Sequence, residues 1–472
     1  MTDRWSTSSR DLLLTLDLGR GRRAALERGL REAIRDGRLL PGVLLPSTRA
    51  LALDLGVARG TVAEAYAQLI AEGYLTARQG SGTVVASGTT PAIVTPSLPK
   101  AAAPRVDFRP GIPDLSGFPR ALWLAATRRV VRSMPDSALG HGDPRGHREL
   151  RRALAGYLGR ARGVRTSPDL IVVCNGYAHA LSILAQALRS IGITSMVMED
   201  PCLPDHRATA GAAGVTVVSV PVDGDGLQVE HLANLPSGAV IVTPAHQGTL
   251  GMAIAPARRS ALLAWARERG GVVIEDDYDG EFRYDRQPVG ALQGVDPDRV
   301  VYAGTASKSL APGLRLSWLA VPAWLLDPVI EVRRLTDRYS GVLDQLTLAD
   351  LIASGGFDRH IRRMRLRYRR RRDRLVAALA ERVPALRPSG IAAGLQFVLM
   401  LPPDGPAEAE ALDTLAGQGI MLHGLGSFYS EGSSHPAGLV VGYSSPPEHA
   451  FIGAMHTLVD ALADLWPAAS GN

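Results

Sequence analysis

The sequence predicts an α/β protein in two parts, a small winged helix-turn-helix followed by a larger domain built on a mostly parallel sheet covered by helices. Three observations lead there. Before residue 86, three amphipathic helical stretches precede a short Thr/Val-rich hairpin. Residues 87–106 then have no hydrophobic period and are rich in Pro, Ala and Thr. From Leu170 onward, strand-length apolar runs alternate with helix-compatible segments. A chain of 472 residues is long enough for two or three domains.

Arg22 to Asp36 reads as the first helix, burying Leu26, Leu30, Ala33 and Ile34, and Gly37 with Pro41-Gly42 closes it. Ser47 caps a short second helix through Leu55, with Leu51 and Leu55 facing inward. After the Gly56 turn a third helix runs from about Arg59 to Glu72 on Val62, Ala65, Tyr66, Leu69 and Ile70. Two helices joined by a short glycine-containing turn form the helix-turn-helix plan, whose second helix enters the DNA major groove. Tyr74 to Val85, with a Gly-Ser-Gly tip, reads as a hairpin, hence a wing. Arg49, Arg59 and Thr61 at the helix starts and Arg78 beside the tip are suited to gripping phosphates or reading base edges. This gives residues 1–86 as a DNA-binding domain, 87–106 as a semi-extended linker and 107–472 as the second domain.

In that domain Ile171–Cys174, Met196–Glu199, Val215–Val220, Val240–Thr243, Val272–Glu275, Val300–Tyr302 and Leu316–Val321 are strand-like. Ligands in such sheets sit at the carboxyl ends of strands, and polar motifs cluster there. Asn175-Gly176-Tyr177-Ala178 opens a helix and can offer backbone amides to an anion. Thr243 to Gln247 follows another strand. Glu275-Asp276-Asp277-Tyr278-Asp279-Gly280-Glu281 is an acidic cluster that suits a metal, a cation or a helix cap.

Composition sharpens one position. Net charge is +6 and pI near 9.5, compatible with a polyanionic partner. Of 52 basic residues, all but Lys100 and Lys308 are arginine, so a lysine inside an ordered motif marks a place where guanidinium does not serve. Lys308 lies in Gly304-Thr305-Ala306-Ser307-Lys308-Ser309, with Arg315 following. An amine beside hydroxyls and an arginine, with a carboxylate from a neighbouring strand, is what pyridoxal phosphate requires. No glycine-rich phosphate loop precedes Lys308, which removes a P-loop reading. Two cysteines exclude a disulfide scaffold or cysteine-built metal site and suit a reducing cytoplasm. The apolar runs are too short to span a membrane, and the first residues lack a secretion-signal pattern. Nine arginines between Arg362 and Arg374 read either as a second DNA-facing patch or as a solvated or acid-paired helix face.

Residues 45–85, "LPSTRALALDLGVARGTVAEAYAQLIAEGYLTARQGSGTVV", resemble the winged helix of the GntR superfamily of bacterial regulators. The resemblance places Arg49, Arg59, Gly60, Thr61 and Gly80 at DNA-contacting positions. The remainder resembles fold-type I aminotransferases with a smaller C-terminal α+β part. The order of winged helix, linker, "HQ", "EDDYDGEFRY" and "GTASKSLAPGLRL" resembles the MocR/GabR subgroup over nearly the whole chain.

The resemblance implies a homodimeric regulator responding to pyridoxal phosphate, an amine or an amino acid. Lys308 would form the Schiff base and Asp276 would hold the pyridine nitrogen. Gln247 and Tyr278 would face the ring hydroxyl, and Gly176, Tyr177, Ala178, Thr305, Ser307 and Arg315 would form the phosphate cup. Several positions depart from the family pattern. Leu203 replaces the ring-stacking aromatic, His141 a tyrosine lent by a second subunit, and Gln396 a histidine. Val440 to Ala450 lacks the arginine that binds a substrate carboxylate. The departures favour sensing over turnover. The rival readings are a working aminotransferase with an accessory winged helix, and a regulator whose site no longer binds the cofactor.

Overall fold

A computed structural model describes residues 21–78, 82–87, 104–235, 238–284 and 289–467, so most of the predicted linker and the wing tip, including Gly80, lie outside the described residues. The chain divides into two compact units, Met1–Ala102 and Ala103–Asn472.

In the first unit, α1 (Arg22–Arg35), α2 (Thr48–Leu55) and α3 (Arg59–Ala71) enclose a core of Leu26, Leu30, Ile34, Leu51, Val62, Tyr66 and Leu69. The Ser47 hydroxyl caps α2 by accepting from the Ala50 amide at 3.2 Å, and Gly56 ends it at φ 61°, the left-handed conformation glycine tolerates. Leu55 and Ile70 are half-buried rather than buried, because each sits at the edge of the small core. β1 (Leu75–Arg78) pairs antiparallel with β2 (Gly82–Val85). Arg31 bridges to Glu72 and Arg35 to the Tyr74 hydroxyl, tying α1 to the start of the hairpin.

The second unit begins with a strand where the sequence suggests the end of a linker: β3 (Val106–Asp107) pairs in parallel with β14 (Ile420–Met421). Its main sheet joins β4 (Ile171–Cys174), β5 (Ser195–Asp200), β6 (Thr216–Asp223), β7 (Gly226–Leu227), β8 (Ala239–Val242), β9 (Val272–Asp277), β10 (Val300–Thr305) and β11 (Ser317–Ala320), in the order 4-11-10-9-8-5-6-7. The pairs from β6 through β10 are parallel, while β11 runs antiparallel to both its neighbours and β7 to β6. The strands are apolar on both faces because both are covered. Ile171 and Val173 enter one core, while Val172 and Cys174 enter the other.

The covering helices are α4 (Arg120–Ser133), α5 (Arg148–Arg162), α6 (Tyr177–Ser190), α7 (Pro204–Ala212), α8 (Pro256–Arg269), α9 (Ala323–Thr336) and α10 (Val342–Ala353). The long α11 (Gly356–Arg382) leads to a four-stranded antiparallel sheet of β12 (Arg387–Ser389), β13 (Phe397–Met400), β16 (Gly438–Val441) and β15 (His423–Gly424), with α12 (Glu408–Gly417) and α13 (Phe451–Leu465).

The arginine run on α11 is partly a structural clamp. The buried Arg371 guanidinium bonds Asp114, Glu448 and the carbonyls of Ser444 and Pro446, and Arg367 joins the same two acids. These partners come from the same chain, whereas Arg362, Arg369 and Arg374 are exposed. No described helix is long and apolar enough to cross a membrane.

Candidate functional site

The carboxyl ends of β4, β5, β8, β9 and β10 converge on a cavity of about 290 Å³. Lys308 lies in the turn after β10, its Nζ donating to the Gly111 carbonyl at 2.5 Å. A side chain on Gly111, which sits at φ 75°, would come within 3.1 Å of that amine. Burial pushes the lysine below its usual range, opposed by the Asp279 and Asp276 carboxylates.

Asp276, next to last in β9, is the acid of its cluster that faces the cavity. Its neighbours are spent elsewhere. Glu275 accepts from the amides of Leu292 and Gln293, Asp277 pairs with Arg162 and the Tyr302 hydroxyl, and Asp279 bonds His246 at 2.9 Å. Glu281 accepts from Tyr157 at 3.2 Å. The Asp276 Oδ1 is buried without a hydrogen-bond partner. Burial, helped by Asp277 and Glu199, raises its carboxyl to about 8, against the pull of Tyr177 and Lys308.

A third corner is built for an anion. Gly176 stands at φ 86° at the N-terminus of α6, and an added Cβ would lie 2.7 Å from the Arg315 guanidinium carbon. Arg315 itself adopts φ 52°, rare for a side chain of this size. It makes no ion pair with a carboxylate among the described residues. The Thr305 hydroxyl lies 2.9 Å from that of Ser307 and accepts from the Ser307 amide at 3.1 Å, and both residues line the cavity. Ala178 is exposed on the first turn of α6. An unpaired cation, two hydroxyls and a helix N-terminus are groups with the chemistry to hold an anion.

Tyr278 lines the cavity with its hydroxyl 2.9 Å from His246 Nδ1. Gln247 also lines it, but its amide is fully engaged: Nε2 donates to Glu199 and the Pro201 carbonyl, and Oε1 accepts from Thr249 and Leu250. Its cavity face is therefore a wall with no free polar group. Gln396 donates to the Gly248 carbonyl at 2.7 Å. Leu203 is 46% exposed at the mouth. His141 does not line the cavity; it is exposed and bonds the Tyr339 hydroxyl at 2.7 Å.

The DNA-facing candidates lie in the first unit. Arg49, Arg59 and Gly60 are exposed, Thr61 is half-buried, and Arg78 ends β1. Neither Arg49 nor Arg59 is paired with a described residue. No side chain caps the start of α3, which leaves its first amides open to a phosphate.

Residues 23–85 match the gntR family of bacterial regulatory proteins, and residues 112–433 match aminotransferase class I and II. The probable rhizopine catabolism regulatory protein MocR of Rhizobium meliloti is 36% identical over 370 residues, 74% of this chain and 75% of that protein. The pyridoxine biosynthesis transcriptional regulator PdxR of Corynebacterium glutamicum is 32% identical over 440 residues, covering 92% and 94%. This chain belongs to the MocR/GabR subgroup of the GntR superfamily. Like other MocR-type transcriptional regulators it joins a helix-turn-helix domain to an aminotransferase-like one. The latter fold is shared with an archaeal alanine:glyoxylate aminotransferase, at a TM-score of 0.69 and 23% identity over 76% of this chain and 91% of that one.

Several cavity residues of this MocR-type chain escape sequence reasoning. Gly111 lies 197 positions before the lysine it holds, so no local pattern ties the two. His206, on the first turn of α7, packs its ring 4.7 Å from that of Tyr177, and burial with the nearby Lys308 charge lowers it to about 4. Glu199, raised by burial, accepts from Thr243 and Gln247. Phe428 enters from the smaller sheet region.

Proposed function

We propose that this regulator holds pyridoxal phosphate in the cavity around Lys308 and senses it, alone or joined to an amine, while Arg49, Arg59, Gly60 and Thr61, with Arg78 and Gly80 at the wing, grip operator DNA. The observation that carries the reading is the orphaned Asp276 Oδ1, buried in the same cavity as the Lys308 amine and the unpaired Arg315. These three groups match the ring nitrogen, the carbonyl carbon and the phosphate of one small molecule. When bound, that molecule supplies an electrophilic carbonyl and an electron-withdrawing ring. Lys308 presents a nitrogen that burial holds toward its neutral, nucleophilic form. Asp276 accepts from the ring N–H, and the Tyr278 hydroxyl faces the ring substituent next to the carbonyl. Gly176, the backbone of Tyr177 and Ala178, Thr305, Ser307 and Arg315 hold the phosphate.

Sensing is favoured over turnover by what the cavity lacks. Apart from Arg315, no arginine among the described residues lines it as a partner for an α-carboxylate. Arg371, close behind Ser444, is consumed by Asp114 and Glu448. The effector class this reading favours is the vitamer itself or its adduct with an amine or amino acid. Exposed Leu124 and Val131, seven residues apart and so on one face of α4, support a homodimer through this face. A cytoplasmic setting fits a DNA-bound regulator. Affinity differences between DNA-binding arrangements are what couple the ligand to transcription.

The test compares wild type with Lys308→Arg. Genomic DNA fragments selected by the full chain, with and without pyridoxal phosphate, should differ for wild type only. The visible absorbance that wild type gains on incubation should be missing in the variant. Identical ligand-dependent selection by both proteins overturns the assignment of Lys308.

A further inference from the structure

The three anchors fix the edges of a flat ligand and leave its faces unassigned, and position 203, a leucine at the mouth, offers no flat surface. The cavity contains another candidate. Tyr177 is the first residue of α6, so its backbone stands at the anion corner beside Gly176. Its side chain runs from there to the opposite end, where the hydroxyl lies against the Asp276 carboxylate. The contact favours the charged form of Asp276, yet it falls short of hydrogen-bond geometry, and both the Tyr177 hydroxyl and Asp276 Oδ1 remain without partners. The ring is half-buried between these ends, lines the cavity, and packs beside the His206 imidazole, which lines it too, at 4.7 Å and an interplanar angle of 44°. Among the described residues the imidazole nitrogens have no hydrogen-bond partner, which leaves the ring free to pack against Tyr177.

We infer that the Tyr177 ring, buttressed by His206, is the platform on which the flat ring of the bound ligand lies. A ligand held by its phosphate at the Gly176–Arg315 corner and by its ring nitrogen at Asp276 runs between the same two ends as the Tyr177 side chain. Two flat groups sharing both ends in a cavity of about 290 Å³ lie alongside each other. The residue that the sequence places in the phosphate cup thus has a second role, carried by its side chain. Its hydroxyl also stands beside the carboxylate that accepts the ring N–H, where it can add a hydrogen bond to the ionised form of Asp276. The inference rests on the pyridoxal phosphate reading above.

The experiment titrates full-length protein with pyridoxal phosphate, following absorbance and intrinsic fluorescence, for wild type, Tyr177→Phe, Tyr177→Leu and Tyr177→Ala. Circular dichroism verifies that each is folded. Tyr177→Phe keeps the flat ring and is expected to bind within about threefold of wild type. Tyr177→Leu keeps most of the volume without a flat face and is expected to lose roughly tenfold, as is Tyr177→Ala. In the Tyr177→Leu background, Leu203→Tyr restores part of the loss by supplying a ring from the other wall. Equal or tighter binding by Tyr177→Leu and Tyr177→Ala overturns the inference, since it makes Tyr177 an obstruction rather than a platform. Failure of wild type itself to bind removes the pyridoxal phosphate reading, and the platform with it.

Discussion

Replacing Asp276 with asparagine removes the one carboxylate whose free oxygen faces the cavity. In the wild-type chain without ligand, burial raises this carboxyl from 3.8 to about 8. A folded-state pKa above the unfolded value means that the native chain keeps a proton the unfolded chain releases. The stabilising contribution is therefore full below about pH 4 and is lost progressively as pH rises to about 8. At roughly 1.4 kcal/mol per unit, ligand-free wild type gives up about 4 kcal/mol through this group by pH 7, an order-of-magnitude figure. Asp276→Asn lacks the proton equilibrium. Its own amide contributes an offset that does not change with pH.

The difference in unfolding free energy between variant and wild type should accordingly grow in the variant's favour from pH 4 to 8, then level off. Glu275 and Glu281, raised to about 7 by burial, titrate in both proteins and cancel in the difference. Urea unfolding across pH, without ligand, gives the curve. Adding pyridoxal phosphate should stabilise wild type and barely move the variant, because a charge-assisted hydrogen bond worth about 1.5–3 kcal/mol is lost, roughly 10- to 100-fold in affinity. A difference curve flat with pH would refute the buried, uncharged carboxyl. Equal affinity for the ligand would refute its role at the ring nitrogen.

Other outcomes follow from the same geometry. Arg59→Ala and Arg49→Ala should each weaken binding to selected DNA, by about 1–3 kcal/mol where a base is read, and by an equal amount at all sequences with a shallower salt dependence where a phosphate is gripped. Unchanged binding in both would remove this helix pair from the DNA surface. Gly176→Ala places a Cβ 2.7 Å from the Arg315 guanidinium at a φ of 86°. It should therefore lower affinity for pyridoxal phosphate far more than for pyridoxal, and equal losses would argue against an anion corner there. Sedimentation should find a dimer at micromolar concentration that Leu124→Arg dissociates; a wild-type monomer would contradict the assignment of the exposed α4 face.

The strands and the central lysine are legible from sequence because each rests on a local signal. Apolar runs of strand length mark β4, β5, β6, β8, β9, β10 and β11, and a lone lysine among arginines marks Lys308. The acidic cluster is legible only as a cluster. Which member faces the cavity depends on partners far along the chain, Arg162 for Asp277 and His246 for Asp279. Gln247 shows the reverse case: its place beside the site follows from the motif, yet its amide is taken up by Glu199, the Pro201 carbonyl and two nearby backbone amides. Gly111 and His206 carry no signal at all, being an ordinary glycine and histidine until the fold brings them to the lysine. In α11, the sequence shows charge density, whereas burial of Arg371 against Asp114 requires the tertiary structure.

Lys308 is the residue proposed to take up pyridoxal phosphate. Incubating the full chain with that compound, reducing with borohydride and mapping the peptides tests it most directly. The expected result is a stable phosphopyridoxyl modification on Lys308, competed away by excess of an amine, with Lys100 unmodified at the same concentration. No modification of Lys308, or equal labelling of Lys100, would contradict it.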